Sequence, residues 1–221
     1  MRILEKQQYH LVTLIILISG VYFIARGDFL QGSFAGLSTK TWLWLSILAP
    51  VVHQIYVVIL WRAELHYKYL STWFGKRAFG AWTAGFMILF LARPIFIFGL
   101  AIANRGTLAL PNFLGVVLSV LCILPATYLV YSVLKYFGLK RALGMDHFQP
   151  QVYKNLPLVN QGIFRWTSNP MYLFGFLFLW IPGFLFLSKS GLLVALFSHL
   201  YIWVHYYFTE YPDMQYIYKS D

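Results

Sequence analysis

The sequence predicts an all-α polytopic membrane bundle of about six hydrophobic spans, ending in a helical hairpin. Three observations carry that expectation. Of 221 residues, 60% are hydrophobic and only 11% charged, where a soluble domain carries roughly 25% charged residues. Mean hydropathy is +0.65. The apolar residues fall in runs near the roughly 20 residues that a helix needs to cross a bilayer. A soluble enzyme, a disordered tail and a disulfide-stapled secreted domain are thereby excluded.

Six runs qualify. The first, 8–25, follows Met1-Arg2-Ile3-Leu4-Glu5-Lys6 without a small-x-small cleavage site, and is expected to be a retained span. The second, 41–61, carries His53, expected as a hydrogen-bonded contact between helices. The third, 81–103, carries Arg93 before Pro94; so costly a charge should face the bundle interior or a watery cavity. It would hold either a lipid phosphate or the carbonyl that Pro94 frees. The fourth, 112–137, contains Cys122, the single cysteine, so no intrachain disulfide forms. Runs 170–187 and 191–208, separated by Ser188-Lys189-Ser190, make the hairpin. No internal repeat is visible. Residues 1–111 thus read as transmembrane helices without a motif, and 112–221 as the part bearing chemistry.

The net charge of +10 is distributed as anchors for loops against lipid headgroups rather than as a nucleic-acid patch. With a cytoplasmic N-terminus, Arg2, Lys6, Arg62, Lys68, Lys76, Arg77, Lys135, Lys140, Arg141, Lys154, Arg165 and Lys219 lie on the near side. Arg26, Lys40, Arg105 and Lys189 lie on the far side. This bias places both termini and the 138–169 loop in the cytoplasm. That loop, long for a connection and rich in aromatics, is where a soluble cofactor would be met.

Three constellations could carry chemistry. Asn169 followed by Pro170 reads as an N-cap and first helical residue of the fifth span, with Tyr172 just inside. Such a helix start also attracts a carboxylate, so capping and ligand binding are compatible. Glu210 should sit at the C-terminal end of the last span, where the helix dipole disfavours an anion; meeting a cation or amine explains it better. Counting back gives Tyr206, Trp203 and His199, one helical stripe, with His205 off it. The stripe is packing or the wall of a pocket for a positively charged ligand. Finally, Arg141 to Phe148 reads as an interfacial loop, or as a site in which His147 carries protons. Adjacent Asp146 and His147 are not expected to face each other.

Residues 138–218 resemble the membrane phospholipid methyltransferases, specifically the phosphatidylethanolamine N-methyltransferase branch, which is related to the isoprenylcysteine carboxyl methyltransferases. The resemblance rests on Gly138, Leu143-Gly144-Met145-Asp146-His147-Phe148, Gly162-Ile163-Phe164-Arg165, Asn169-Pro170-Met171-Tyr172, Glu210-Tyr211-Pro212 and Tyr218. It implies S-adenosylmethionine as cofactor, bound by Leu143, Gly144, Met145, Arg165, Asn169, Pro170, Tyr172, Glu210 and Tyr211. Glu210 and His147 are then the candidate proton acceptors. Tyr211 stands where the family has a second acid, and Ser168-Asn169-Pro170 replaces the wider family's Arg-His-Pro.

Methyl transfer from a sulfonium is an in-line displacement that depends on alignment and exclusion of water. It calls for no metal, and no Cys or His cluster has metal-ligand spacing. The expected acceptor is a membrane lipid, the amine of phosphatidylethanolamine or its partly methylated forms, in a bacterial cytoplasmic membrane or endoplasmic reticulum. The rival readings are methylation of a prenylcysteine carboxylate or small thiol, an NADPH-dependent sterol-reductase relative, and a non-catalytic transporter. Asn169 weighs against the prenylcysteine version, and the missing acid after Tyr172 against the reductase.

Overall fold

The computed structural model describes residues 3–218; Arg2 and Lys219 of the charge count lie outside them. Five helices are long and apolar enough to cross a membrane, and the chain is an integral membrane helical bundle. α1 is Gln7–Ile24, α2 Thr39–Tyr67, α3 Tyr69–Phe74, α4 Ala78–Ala103 and α5 Asn112–Ser132, the last prolonged by a π turn, Val133–Phe137. Short helices α6 (Leu139–Ala142), α7 (Met145–Phe148) and α8 (Pro150–Tyr153) punctuate the long loop. α9 (Pro170–Leu173) and α10 (Ile181–Leu185) flank a 3-10 stretch, Gly175–Leu179. α11 (Lys189–His205) runs through a second π turn, Tyr206–Glu210, into α12 (Tyr211–Tyr218). A two-residue hairpin, β1 (Ser33–Phe34) with β2 (Leu37–Ser38), closes the connection before α2.

Two departures from the sequence reading shape the site. The fifth span is not one helix. Proline lacks the N–H that continues a helix, and Pro170, Gly175, Pro182 and Gly183 leave α9, the 3-10 stretch and α10 in series. A rise of about 1.5–2.0 Å per residue still carries this segment about 24–32 Å, and it packs along α11 as the second arm of a hairpin. Gly183 allows that: a Cβ there would lie 2.8 Å from the backbone nitrogen of Leu192. The second departure concerns α2, which continues past 61 to Tyr67. Arg62, read as a loop charge, and Glu64 are fully buried within it.

The connections gather at two ends. At one, Asn104 ties three of them together. Its amide donates to the carbonyls of Asp28 (2.8 Å) and Gln31 (3.1 Å). Its Oδ1 accepts from the Ser188 hydroxyl (3.2 Å) and the Ser190 N–H (3.0 Å). The remaining connections, 68–77 and 138–169, lie at the other end with α12, where Lys68 donates to the Phe148 carbonyl at 3.0 Å. The main core lies between, where Leu43, Ile47, Ile97, Leu100 and Val194 pack among α1, α2, α4 and α11.

Replacing Asn104 with Leu removes its hydrogen bonds to the Asp28 and Gln31 carbonyls and to Ser188, and leaves the Ser190 N–H without its acceptor. At about 0.5–1.5 kcal/mol for each hydrogen bond lost and about 1–3 kcal/mol for a buried group left unpaired, Asn104→Leu is expected to lower the unfolding midpoint in detergent by several degrees. Arg105→Ala, on the exposed neighbour, should leave it unchanged.

Candidate active site

A cavity of about 610 Å3 opens at the end where 138–169 meets α12, and extends between α2, α4 and α11. Its entrance is organised by a buried ionic chain. Arg62 Nε donates to both oxygens of Asp213, at 2.9 and 3.2 Å. Its other nitrogens donate to the carbonyls of Ile3, Glu5, Phe208 and Thr209 at 2.8–3.3 Å. Asp213 Oδ2 lies 3.7 Å from His147 Nε2, an ion-pair distance too long for a hydrogen bond. On its other side, His147 Nδ1 is 2.9 Å from Asp146 Oδ1, and the Tyr218 hydroxyl donates to Asp146 Oδ2 at 3.0 Å. The imidazole stacks on Trp61, with centroids 4.2 Å apart.

Asp146 and His147 therefore do face each other, against the sequence reading. Gly144 makes this possible. Its φ of +82° starts the single turn of α7, and a Cβ there would lie 2.5 Å from the Trp61 indole. Asp146 then curls back to accept the backbone N–H of His147 as well, at 3.0 Å. Burial pulls the His147 pKa down, but the charges of Asp146 and Asp213 outweigh it and push it up to about 9. Burial raises Asp146, while His147 and the Tyr218 hydroxyl together hold it below the ordinary carboxylate value. At neutral pH the pair is an imidazolium and a carboxylate.

Of the residues singled out from sequence, Gly144, His147, Arg165, Asn169, Tyr172 and Glu210 all line this cavity. Leu143, Met145, Pro170 and Tyr211 are not in its wall. The Leu143 carbonyl accepts the Trp82 indole N–H at 2.8 Å. Met145 packs into the apolar cluster around Trp82. Pro170 is buried as the first residue of α9, and Tyr211 is exposed. Asn169 does not cap α9 with its side chain, so the expected capped helix start reduces to one uncapped turn.

Glu210 is half-buried and makes no hydrogen bond or ion pair with another described residue. It is not at a helix terminus, because the chain continues through α12. The expected stripe is displaced as well. The π turn inserts one extra residue per turn, so the cavity face runs Ile202, His205, Glu210, Met214, Tyr218. His205 joins the wall, whereas Trp203 and Tyr206 pack against Tyr172 at 5.9 and 5.4 Å. His199 instead accepts the Trp180 indole N–H at 3.1 Å.

The cavity wall also draws on the first half of the chain, where Trp61, Phe86 and Phe90 carry no signal in the sequence and His53 and Arg93 do. His53 has no hydrogen-bond partner among the described residues on either ring nitrogen, unlike the expected hydrogen-bonded interhelical contact, and it lines the cavity with Trp61, Phe86 and Phe90. Arg93 reaches the Pro50 carbonyl rather than the one that Pro94 frees. Asp213 carried a usable signal, being one of only seven acids and three residues beyond Glu210.

Asp213→Asn should destabilise the protein by about 3–5 kcal/mol, the cost of leaving a buried guanidinium unpaired; denaturant unfolding in detergent measures it. The raised His147 pKa gives a second expectation. Its stabilising contribution is complete below the unfolded value near pH 6.5 and is lost as pH rises through about 9. That alkaline arm of the stability profile should disappear in His147→Gln.

No curated protein and no solved structure matches the chain. Residues 114–221, just under half of it, match the family model for phospholipid methyltransferase. The match spans α5, the long loop, the broken hairpin and the helix bearing Glu210, while α2 and α4 lie before it. The C-terminal part of the chain, residues 114–221, thus carries a phospholipid methyltransferase family domain.

Proposed function

We propose that this protein transfers a methyl group from S-adenosylmethionine to the amine of a membrane phospholipid, phosphatidylethanolamine or its partly methylated forms. The observation that carries the reading is Glu210, a carboxyl without a partner among the described residues, in the wall of an aromatic cavity that it shares with Asn169 and Arg165. The volume falls within the ~300–1,000 Å3 typical of small-molecule sites. Asn169 and Arg165 would hold the donor's carboxylate, Glu210 its ammonium, and the rings of Tyr172 and Trp166 its cationic portion. When bound, S-adenosylmethionine supplies an electrophilic methyl that the acceptor nitrogen takes as the carbon–sulfur bond breaks.

An ammonium acceptor must first release a proton. His147 is already protonated between two carboxylates, so it holds the entrance together rather than accepting that proton. Glu210 is the remaining acceptor, and its two oxygens offer about four lone-pair sites, enough to meet two nitrogens. Because the donor is cytosolic, the cavity entrance and the basic loops around it face the cytoplasm in this reading.

Purified protein with methyl-labelled donor should label phosphatidylethanolamine in mixed micelles. Glu210→Gln should raise the donor's Kd at least about tenfold, as expected for losing a charge-assisted hydrogen bond worth about 1.5–3 kcal/mol, and should stop transfer. Unchanged donor binding in that variant removes Glu210 from the donor site.

A further inference from the structure

The deep end of the cavity is lined by polar side chains with buried atoms that have no hydrogen-bond partner among the described residues. Arg93 on α4 is 5% exposed. Its Nε makes no hydrogen bond to a described residue. Nη2 reaches only the Pro50 carbonyl, at 3.5 Å, the limit of a hydrogen bond. The guanidinium carbon lies 5.8 Å from the Phe176 ring. Beside it in the wall are His53 on α2, with both ring nitrogens buried and unpaired, and His205 on α11, with Nδ1 buried and unpaired. A guanidinium offers five donors and cannot shed its charge, and a charge at this depth of a span is costly unless compensated. The acids in the cavity wall are Asp146, held by His147 and Tyr218, and Glu210, five residues beyond His205 across the π turn.

We infer that Arg93, with His53 and His205, is a binding site for the phosphodiester of the acceptor lipid. The planar fork of arginine matches two phosphate oxygens, and a phosphodiester carries its negative charge throughout the physiological range. The order along the cavity fits an upright lipid. Phe90 lines the cavity while 48% exposed, and marks where acyl chains reach accessible surface. The phosphate lies at Arg93, and the amine points toward Glu210 and the entrance. Arg93 and His53 precede the family match at 114–221, so this chain's first half selects the acceptor that its second half methylates. The inference deepens the proposed function and rests on it for the role of the lipid, but the anion site can be tested without turnover.

The experiment compares binding of two fluorescent lipids to the full chain in a phosphate-free maltoside detergent. One is phosphatidylethanolamine; the other is a matched diacyl amine without phosphate. The expected result is at least tenfold tighter binding of the phosphate-bearing lipid, reduced to parity in Arg93→Gln and partly regained in Arg93→Lys. The donor's Kd should be unchanged in both variants. Equal binding of the two lipids by the unmodified protein overturns the inference without any variant. So does a loss of donor binding in Arg93→Gln, which would assign the site to the donor's carboxylate. Competition by inorganic phosphate as effective as by lipid would reduce it to a general phosphate site and overturn the lipid assignment. An Arg93-dependent preference without methyl transfer would refute the proposed function and leave this site standing.

Discussion

A guanidinium with no access to water must have its donors satisfied where it lies, and Arg62 draws on three stretches of chain to achieve this. Asp213 comes from α12, two carbonyls from the segment before α1, and two from the π turn after α11. The segment before α1 and the 206–213 stretch lie at opposite ends of the sequence, so the requirement fixes where the last helix sits relative to α2. Removing water raises the penalty for any one missing partner, which makes the arrangement close to all-or-none. From Asp213 the constraint passes to His147, then to Asp146 and Tyr218, and the 138–148 loop is held over Trp61. The π turn belongs to the same arrangement: its carbonyls accept from Arg62, and its extra residue rotates Glu210 into the cavity.

The electrostatics of the cavity follow from that chain. Arg62, Asp213, His147 and Asp146 neutralise one another at the entrance. Two groups without a counter-ion among the described residues are left in the wall, the Glu210 carboxyl near the entrance and the Arg93 guanidinium deeper. A ligand that presents both a cationic nitrogen and an anionic group is complementary to such a pair. Both halves of the chain are needed to create it, since Arg93 and Trp61 precede the stretch matched by the family and Glu210 lies within it. Large apolar side chains on the outer faces of α1, α4 and α5, such as Phe23, Ile88, Ile95 and Leu124, are exposed, as suits a bundle surrounded by lipid.

Much of this was legible in the sequence because hydrophobic run length reports membrane crossing directly. All six runs correspond to passages between the two ends of the bundle, and six of the residues picked for chemistry meet in one cavity. What was hidden had physical reasons. A hydropathy run stops at a charge, so α2 was ended at 61, although Arg62 and Glu64 are carried inside by partners elsewhere in the chain. Regular helical counting assumes 3.6 residues per turn, and the π turn at 206–210 breaks that assumption, exchanging Trp203 and Tyr206 for His205. The Asp146–His147 pairing depends on the left-handed backbone at Gly144, which a lone glycine in sequence does not disclose. The partners of His53 and Arg93 could not be read either, because apolar spans on all sides of a bundle give no signal of which face meets which.

The central claim is that one chamber, between the Arg62-centred ionic chain and Arg93, takes both substrates. The most direct measurement is an experimental structure with the demethylated donor and phosphatidylethanolamine bound. The account predicts donor density between Asn169 and Glu210, with a headgroup beneath it. Density for the donor outside this chamber, for instance in the shallow depression around Arg26 and Lys40 at the opposite end, would contradict it.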